Sequence, residues 1–538
     1  MKEILLLLVV LALPVGVGAA ERRLSLDDYR DKMTAGWLGQ MVGVEWGLPT
    51  EFKWQGNIIP DDKVPVWKPE TVNGGFVNDD LYVEMTFLRT LELHGLMATA
   101  RQAGIDYANS QYGLCAANWV GRDNLRRGIA PPDCGHPSNN LCADDIDYQI
   151  ESDFAGLISP GLPRQVIRLG NVFGSLVNQG DGVWAGQFMG GMYAEAFFTK
   201  DVDRLVDAGL RCIPAESQYA QMVRDVRAWH AESPDGWETC WAKVKARYID
   251  DSAFHRGKID QPGSDVKPNG AFVVMGLLYG NGDFDRTMRV SMRCGWDSDC
   301  NPSSAAGVLA TALGSKALLE KFPCRLDRTR KFSYTSYAFD DLLRVCERLA
   351  RDGVIAAGGR IEKDARGDER FVIPDEMPMP DAFRPNWNPP PQTGARYSPE
   401  EMRKIKEEAF PGVGETIRRK RQGPRVPIGD KDFFTSGHPD EKELSLVFLT
   451  NAPFNLDREE LPIRINGLSN TVIHLAWAKL HTTNACPIFA FENCDNIVLK
   501  HGSVIRHGVS KEKSSDIFTS QNSSRLRSYG IGCRFNSR

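Results

Sequence analysis

Helical periodicity over about two thirds of the chain is the feature that most restricts its fold. From Leu26 to about Asp352, apolar residues recur at spacings of three and four, and the alternation typical of strands is nearly absent. The predicted helices are Asp27–Val42, Asp80–His94, Ser152–Gln179, Gly186–Phe198, Glu216–Ser233, Gly270–Tyr279, Asp285–Cys294 and Ser303–Lys321. This part is therefore predicted to be an all-α domain, with its functional residues in loops and helix starts.

The composition is typical of a soluble, folded protein of several units. The chain has 538 residues, too many for one ordinary core, and its 42% hydrophobic and 25% charged residues are a globular balance. A net charge of −5 and a pI near 6.1 argue against nucleic-acid binding, which needs a concentrated basic surface. The basic run at residues 418–421 is interpreted as a solvated helix face.

The first twenty residues have the pattern of a signal peptide. A basic start at Lys2 precedes the apolar run Ile4–Leu13, and small residues follow up to Ala20. Because the run is too short to span a bilayer comfortably, we expect cleavage near Ala20, a secreted or periplasmic location, and no membrane contact afterwards. An uncleaved N-terminal anchor is the alternative.

Export would place the twelve cysteines in an oxidising compartment, where disulfides form. Cys115, Cys134 and Cys142 form a close group, and no CxxC pair occurs. A bridge within this group is expected, and a zinc site built from these thiolates is not.

The C-terminal third differs in composition. A proline-rich stretch at Pro374–Pro391 is interpreted as a linker or wrapping arm, with a charged helix at Pro399–Glu408 after it. Short β-branched runs from Leu444 to Val509 loosely resemble a right-handed parallel β-helix of two or three turns. The predicted organisation is a signal peptide (1–20), a helical domain (21–360), a proline-rich and charged linker (361–440) and a β-rich segment (441–538).

Two acidic clusters precede predicted helices. In the first, Asn78, Asp79 and Asp80 follow two glycines; one such residue is enough to cap a helix, so the additional acids are available as hard oxygen ligands. In the second, Asp297 and Asp299 alternate in a turn, and Asn301 or Ser303 is expected to cap the helix that follows.

Oxygen ligands without a neighbouring histidine favour magnesium, with manganese or calcium as alternatives. Four acids in two loops are enough for two ions, an arrangement that orients a nucleophilic water.

The N-terminal helix contains glycines at positions 36, 39 and 43, and this spacing predicts close packing against another helix. Glu51 follows this helix, and residue chemistry alone assigns it no role.

These features resemble the ADP-ribosylglycohydrolase family over about residues 28–350. The family's glycine-spaced helix and Glu-Phe pair resemble Gly36–Phe52, its Thr-Asp-Asp motif resembles Asn78–Asp80, and its Gly-Gly-Asp-x-Asp-Thr motif resembles Gly295–Cys300. The resemblance implies an all-α fold with a binuclear magnesium centre that binds ribose hydroxyls. It also implies hydrolysis at the anomeric carbon of an ADP-ribosyl group.

The resemblance implies residue roles as well. Asp79, Asp80, Asp297 and Asp299 become metal ligands, together with Asn78 and Cys300, which stand where the family has a hydroxyl ligand. Glu51, Asp297 and Asp299 become the catalytic carboxylates, any one of which could accept the proton of water. A thiol is a poor magnesium ligand, so the second ion is expected to be weaker, absent or different.

Two loops in the middle of the chain have the composition of a substrate rim. Asp145 lies in the first, and Asp181 and Gly182 lie in the second beside an aromatic residue; all three are predicted to bind substrate. The first loop has an equal alternative as a helix start.

The predicted function is hydrolysis of an N- or O-glycosidic bond in a small or protein-attached ADP-ribosyl or glycosyl substrate. The alternatives are an inactive module that binds ADP-ribose or a glycan, and a secreted glycoside hydrolase with another substrate.

Overall fold

The computed structural model describes residues 20–140, 142–251, 264–385 and 388–407 and, in the C-terminal part, strands between residues 442 and 536. The predicted signal peptide lies outside the described residues except for Ala20, so it stays a prediction. The basic run at 418–421 also lies outside them.

Helices dominate up to residue 356, as predicted for an all-α domain. They are α1 Leu26–Gly47, α2 Asp79–His94, α3 Ala100–Asn109, α4 Ala116–Arg126, α5 Asp147–Ile150, α6 Asp153–Leu157, α7 Pro163–Phe173, α8 Asp181–Ala196, α9 Val202–Arg211, α10 Gln218–Glu232, α11 Trp237–Val244, α12 Val266–Gly280, α13 Phe284–Arg293, α14 Cys300–Leu313, α15 Ser315–Lys321, α16 Phe339–Ala356 and α17 Pro399–Glu407. Among these helices, none combines the length and the apolar character that crossing a bilayer requires.

Two predicted helices are wrong as continuous elements. The segment predicted as Ser152–Gln179 is divided into α6 and α7, because Gly161 has a φ of +67° and Pro163 opens a new helix. The segment predicted as Ser303–Lys321 is interrupted at Gly314, which has a φ of +87°. Periodicity alone did not detect these interruptions, since the apolar spacing continues on both sides.

The contact between α1 and α14 organises the centre of the domain. A Cβ atom on Gly39 would lie 2.6 Å from the Ala306 carbonyl oxygen, and one on Gly43 or Gly47 would collide with the backbone of residues 302–303 or 298–299. These glycines follow one face of α1, so the two helices touch along their backbones. The close packing predicted from the glycine spacing is confirmed, and it brings the start of α14 beside the end of α1.

A small antiparallel sheet spans the predicted domain boundary at residue 360. The strands β1 Glu21–Ser25, β2 Arg360–Lys363 and β3 Glu369–Pro374 pair in the order β1-β3-β2. Glu21 pairs with Pro374 and Ser25 with Arg370. The chain after residue 360 therefore packs onto the helical domain, whereas the domain limits themselves stay a prediction.

Residues 388–407, which we call the arm, pack against α3 and the loop after α4. Asp133 accepts hydrogen bonds from the backbone N–H groups of Thr393, Gly394 and Ala395 at 2.8–3.0 Å. Arg101 forms an ion pair of 2.6 Å with Glu401 on α17. The arm begins within the proline-rich stretch Pro374–Pro391, whose interpretation as a linker or a wrapping arm stays a prediction.

The C-terminal strands are parallel and pair at a regular interval. The strands are β4 Lys442–Ser445, β5 Phe454–Asn455, β6 Ile463–Asn466, β7 Ser469–His474, β8 Lys479–Thr482, β9 Phe489–Glu492, β10 Asp495–His507, β11 Phe518–Gln521 and β12 Arg527–Asn536. Lys442 pairs with Thr471, Thr471 with Ile497, and Val498 with Arg527, so successive partners are 29, 26 and 29 residues apart. Strand β9 lies between β6 and β11 in the same way. Parallel stacking at this interval is the pairing expected of a β-helix.

The bridge predicted within Cys115, Cys134 and Cys142 is wrong, because none of the three is in a disulfide. Cys134 donates a hydrogen bond of 3.6 Å to the Ser175 carbonyl oxygen, while Cys115 is exposed at the start of α4. The six cysteines from Cys212 to Cys346 are also outside any disulfide.

Gly43→Ala tests the helix contact. We expect it to lower the free energy of unfolding by about 1–3 kcal/mol, because the added methyl group meets the backbone of Pro302 and Ser303, which cannot move aside as a side chain could. Chemical denaturation measures the change. Gly113→Ala is the control, since no heavy atom lies within 4 Å of a Cβ there, and an equal effect of both changes would contradict the interpretation.

Asp133→Ala tests the attachment of the arm. Removing an acceptor of several backbone N–H groups should cost about 1.5–3 kcal/mol and expose the arm to proteolysis, whereas Asp123→Ala, on a surface ion pair, should not.

Burial raises the pKa of Asp133, but the hydrogen bonds from residues 393–395 outweigh it and hold the pKa below its usual value. The contribution of Asp133 is therefore present above the unfolded-state pKa and is lost as the pH falls through the folded-state pKa. An unchanged proteolysis pattern in Asp133→Ala would refute this role.

Candidate metal centre

The loop after α1 lies against the segment that leads into α14. Phe52 donates a backbone hydrogen bond of 2.8 Å to Trp296, Trp296 donates one of 3.2 Å to Trp54, and Ile59 donates one of 2.9 Å to Arg293. The hydroxyls of Thr50 and Ser298 are 2.7 Å apart. These bonds hold Glu51 beside the Asp297 loop.

The backbone at this junction has left-handed conformations. Phe52 has a φ of +49°, Trp296 a φ of +54° and Gly295 a φ of +80°. A Cβ on Gly295 would collide with the Trp54 carbonyl oxygen, and the Trp296 ring stacks on Phe272 at 5.5 Å between centroids. Positive φ values cost energy for residues other than glycine, so the surrounding packing must maintain them.

The first acidic cluster opens α2. The Asn78 side-chain oxygen accepts a hydrogen bond of 3.1 Å from the Asp80 backbone N–H and so caps the helix. Asp79 is partly buried and Asp80 is fully buried. One residue performs the capping, and neither carboxylate is needed for it.

The second acidic cluster opens α14, but the predicted capping residues are wrong. Asn301 lies within the helix and donates to the Asn269 side chain at 2.9 Å, and Ser303 donates to the Gln40 carbonyl oxygen at 3.1 Å. The cap position belongs to Asp299, whose side chain makes no capping hydrogen bond. The carboxylate of Asp299 therefore faces other groups.

The two clusters meet. The Cys300 thiol lies 3.2 Å from Asp80 Oδ1 and 3.8 Å from Asp299 Oδ1. One possible ligand atom from each of Asp297, Asp299 and Cys300 lies within 4.8 Å of the others. Residues about 220 positions apart in the sequence thus form one buried group.

The acids of this group are in an unfavourable electrostatic environment. Burial raises the pKa of Asp297 to about 8, and the nearby charges of Glu51 and Asp80 contribute to the increase. Burial and the neighbouring carboxylates also raise the pKa values of Asp80 and Asp299 well above the usual range. Packing acids together away from water costs energy unless a positive charge compensates them.

Two buried oxygens lack the compensation that hydrogen bonds would give. Asp80 Oδ2 and Asp297 Oδ1 are buried and have no hydrogen-bond partner among the described residues. Native proteins rarely leave buried polar atoms unpaired. Both atoms belong to carboxylates in the group, and carboxylate oxygens are ligands for divalent cations. The residues present therefore fit a divalent metal.

Further acids surround the centre. Asp147 accepts hydrogen bonds from the backbone N–H groups of Ala117 and Asn118 at 3.3 and 3.0 Å. Burial raises its pKa to about 7, and the charge of Asp79 adds to the shift. Asp147 therefore caps α4, and the loop that contains Asp145 and Asp147 has at least this structural role.

Of the three predicted substrate residues, Asp181 lies close enough to the buried Lys267 to act on its charge, and Asp145 pairs with Asp265 in an isolated β-bridge. Asp145 accepts a hydrogen bond of 3.0 Å from the Ser264 hydroxyl, and Asp181 accepts one of 3.1 Å from the Tyr219 backbone N–H. A Cβ on Gly182 would lie 2.7 Å from the Ala143 carbonyl oxygen, so Gly182 has a packing role. The substrate role of these residues stays a prediction.

The sequence interpretation overlooked Lys267 itself. Its side chain is fully buried, with Nζ 3.3 Å from Asp265 and 3.7 Å from Asp144. Burial lowers the pKa of Lys267, but these two acids and Asp181 outweigh burial and raise it. A lysine beside Pro268, at the start of an otherwise apolar helix, was the available signal.

Comparison with known protein families agrees with the fold. The sequence model described as ADP-ribosylglycohydrolase matches residues 25–355, more than half of the chain. The chain belongs to the ADP-ribosylglycohydrolase family. A solved structure of an ADP-ribosylglycohydrolase-related protein complex is similar at 14% identity, covering 61% of this chain and 100% of that chain with a TM-score of 0.39. A search of curated proteins found no match.

Asp297→Asn tests the electrostatic interpretation. Without metal we expect the variant to be more stable than the wild type by about 1–3 kcal/mol, because the buried carboxyl of Asp297, whose pKa is raised to about 8, must take up a proton at neutral pH, whereas the amide of asparagine is already neutral. A divalent cation at a hundred times its Kd should stabilise the wild type by about 2.7 kcal/mol and the variant much less. Thermal denaturation with and without cation measures both effects. Asp285→Asn, in a surface ion pair, should behave as wild type, and equal stabilisation of Asp297→Asn by metal would contradict the interpretation.

Proposed function

We propose that the chain is a metal-dependent glycosyl hydrolase that cleaves an N- or O-glycosidic bond of an ADP-ribosyl or related glycosyl substrate. Membership in the ADP-ribosylglycohydrolase family supports hydrolysis of a glycosyl bond. The observation that carries the metal dependence is the meeting of the two acidic clusters, with unpaired buried oxygens on Asp80 and Asp297.

The proposed metal ligands are Asp79 and Asp80 from α2 and Asp297 and Asp299 from the segment before α14, with Asn78 and Cys300 beside them. The proposed cofactor is a pair of divalent cations, with magnesium for the all-oxygen position. Bound cations would lower the pKa of a coordinated water and hold substrate hydroxyls. Asn78 has one lone pair left for this purpose, because the other accepts the capping hydrogen bond.

Glu51 is the proposed residue that moves the proton. It is partly exposed at the end of the short helix Leu48–Thr50, and its charge acts on buried Asp297. A carboxylate at the boundary between solvent and the acidic group can exchange protons with water, whereas the buried acids are needed to hold cations. Asp297 and Asp299 remain alternative bases.

The charge of the site determines how a substrate would lie. A group of buried acids repels a diphosphate at short range, while ribose hydroxyls are neutral oxygen donors. The sugar would therefore face Asp79, Asp80, Asp297 and Asp299, and the diphosphate would point away from them. The negative surroundings would also stabilise the positive charge that develops at the anomeric carbon.

Two other functions remain as alternatives with a specific reason. Cys300 occupies a ligand position with a thiol, which favours an inactive module that binds ADP-ribose or a glycan. The regular parallel pairing of β4–β12 favours a glycoside hydrolase with another substrate, because stacked strands provide long, repetitive surfaces.

We also propose that the protein is exported, because its first twenty residues have the pattern of a signal peptide. An enzyme outside the cytoplasm would encounter nucleotides, modified surface proteins or glycans.

Glu51→Gln tests the proposed function. We expect about 10²–10⁴-fold lower kcat with unchanged metal binding, because only proton transfer is removed. Product release from ADP-ribosyl-arginine, ADP-ribosyl-serine and aryl glycosides measures turnover, and calorimetry with magnesium and ADP-ribose measures binding. Glu70→Gln is the control, since Glu70 is an exposed acid on the same loop, paired with Arg325.

The outcomes separate the three functions. Turnover of an ADP-ribosyl substrate that is lost in Glu51→Gln supports the proposal. Binding of ADP-ribose without turnover supports the inactive module. Turnover of aryl glycosides alone supports the other glycoside hydrolase, and absence of metal binding in the wild type would rule out the metal centre.

A further inference from the structure

Cys300 is a chemically different member of the acidic group. It is the first residue of α14, it is buried, and it is a free thiol. Its sulfur is within hydrogen-bonding distance of Asp80 and close to Asp299. A thiol among carboxylates is a weak hydrogen-bond donor and a weak magnesium ligand, but it is a strong ligand for borderline divalent metals.

We propose that Cys300 is a direct metal ligand and that the position shared by Asp297, Asp299 and Cys300 holds a borderline divalent ion, of the class of Zn²⁺, Fe²⁺ and Co²⁺, and not a second magnesium. This inference rests on the proposed metal centre and specifies the chemistry of one half of it. The other half, at Asp79 and Asp80, offers oxygen ligands only. The centre would then hold two different metals.

The distances agree with one ion at this position. A tetrahedral ion bound to sulfur at about 2.3 Å and to oxygen at about 2.1 Å places the two ligand atoms about 3.6 Å apart. The sulfur of Cys300 is 3.8 Å from an Asp299 oxygen, close to that separation, and the ligand atoms of Asp297, Asp299 and Cys300 all lie within 4.8 Å of one another.

The unpaired carboxylate oxygen of Asp297 also points to a cation at this position. Asp297 Oδ1 is buried and has no hydrogen-bond partner among the described residues, although the Cys300 thiol is nearby. If the thiol acted only as a hydrogen-bond donor, that oxygen would remain uncompensated. An ion shared with Cys300 would satisfy the oxygen and the sulfur together.

The ligand number is that of a reactive site. Two carboxylates and one thiolate are three protein ligands, and zinc sites that activate water have three protein ligands with one open position. A structural zinc site would need four.

Cobalt titration of the metal-free full-length chain tests the inference, because a thiolate bound to Co²⁺ gives an intense charge-transfer absorption in the near ultraviolet. We expect this absorption in the wild type and in Cys115→Ser, which removes an exposed thiol elsewhere. We expect it to be lost in Cys300→Ser, with at least about tenfold weaker cobalt binding, by analogy with losses at other metal sites. Magnesium binding should be unchanged in Cys300→Ser.

Asp79→Asn keeps the test decisive if Cys300→Ser does not fold, which circular dichroism would reveal. This variant should lose magnesium affinity and retain the charge-transfer absorption. A wild type that binds magnesium but gives no such absorption would overturn the role of Cys300 and leave the proposed hydrolase intact. A wild type that binds neither cobalt nor magnesium would overturn the proposed metal centre, and the inference with it.

Discussion

Backbone contact between α1 and α14 is the constraint on which the rest of the helical domain depends. Gly39, Gly43 and Gly47 have no side chains, so the carbonyl groups and Cα atoms of α14 and the segment before it come within reach of α1. Any larger residue would separate the helices. The contact positions the start of α14 beside the loop after α1, and the candidate metal centre lies at that junction.

The centre is electrostatically expensive for the folded protein. Acids from α2 and from the segment before α14 are buried together, and their pKa values are raised by burial and mutual repulsion. Such a group is stable only if the surrounding packing holds it and a cation compensates it. The left-handed backbone at Phe52 and Trp296 and the stacking of Trp296 on Phe272 belong to that packing. Stability and function therefore compete at this site.

The same chemistry is used differently around Lys267. There a buried amine lies among Asp144, Asp181 and Asp265, so the protein supplies its own cation to these acids. In the metal centre the described residues include no such cation close to Asp80 and Asp297. The cluster around Lys267 is therefore structural, whereas the acids of the metal centre need a cation from outside the protein. Residue type alone would not reveal this difference.

The sequence by itself determined the helical class, the close packing of the glycine face and the two acidic clusters, because periodicity, glycine spacing and adjacent acids are local properties. It also indicated parallel strands in the C-terminal segment. Periodicity did not reveal the breaks at Gly161 and Gly314, since backbone dihedrals are not encoded in apolar spacing. Only the tertiary structure decided that Asn78 caps α2, that Asn301 and Ser303 do not cap α14, and that Cys300 faces Asp80. These outcomes depend on which residues distant in sequence meet, and that is determined by packing.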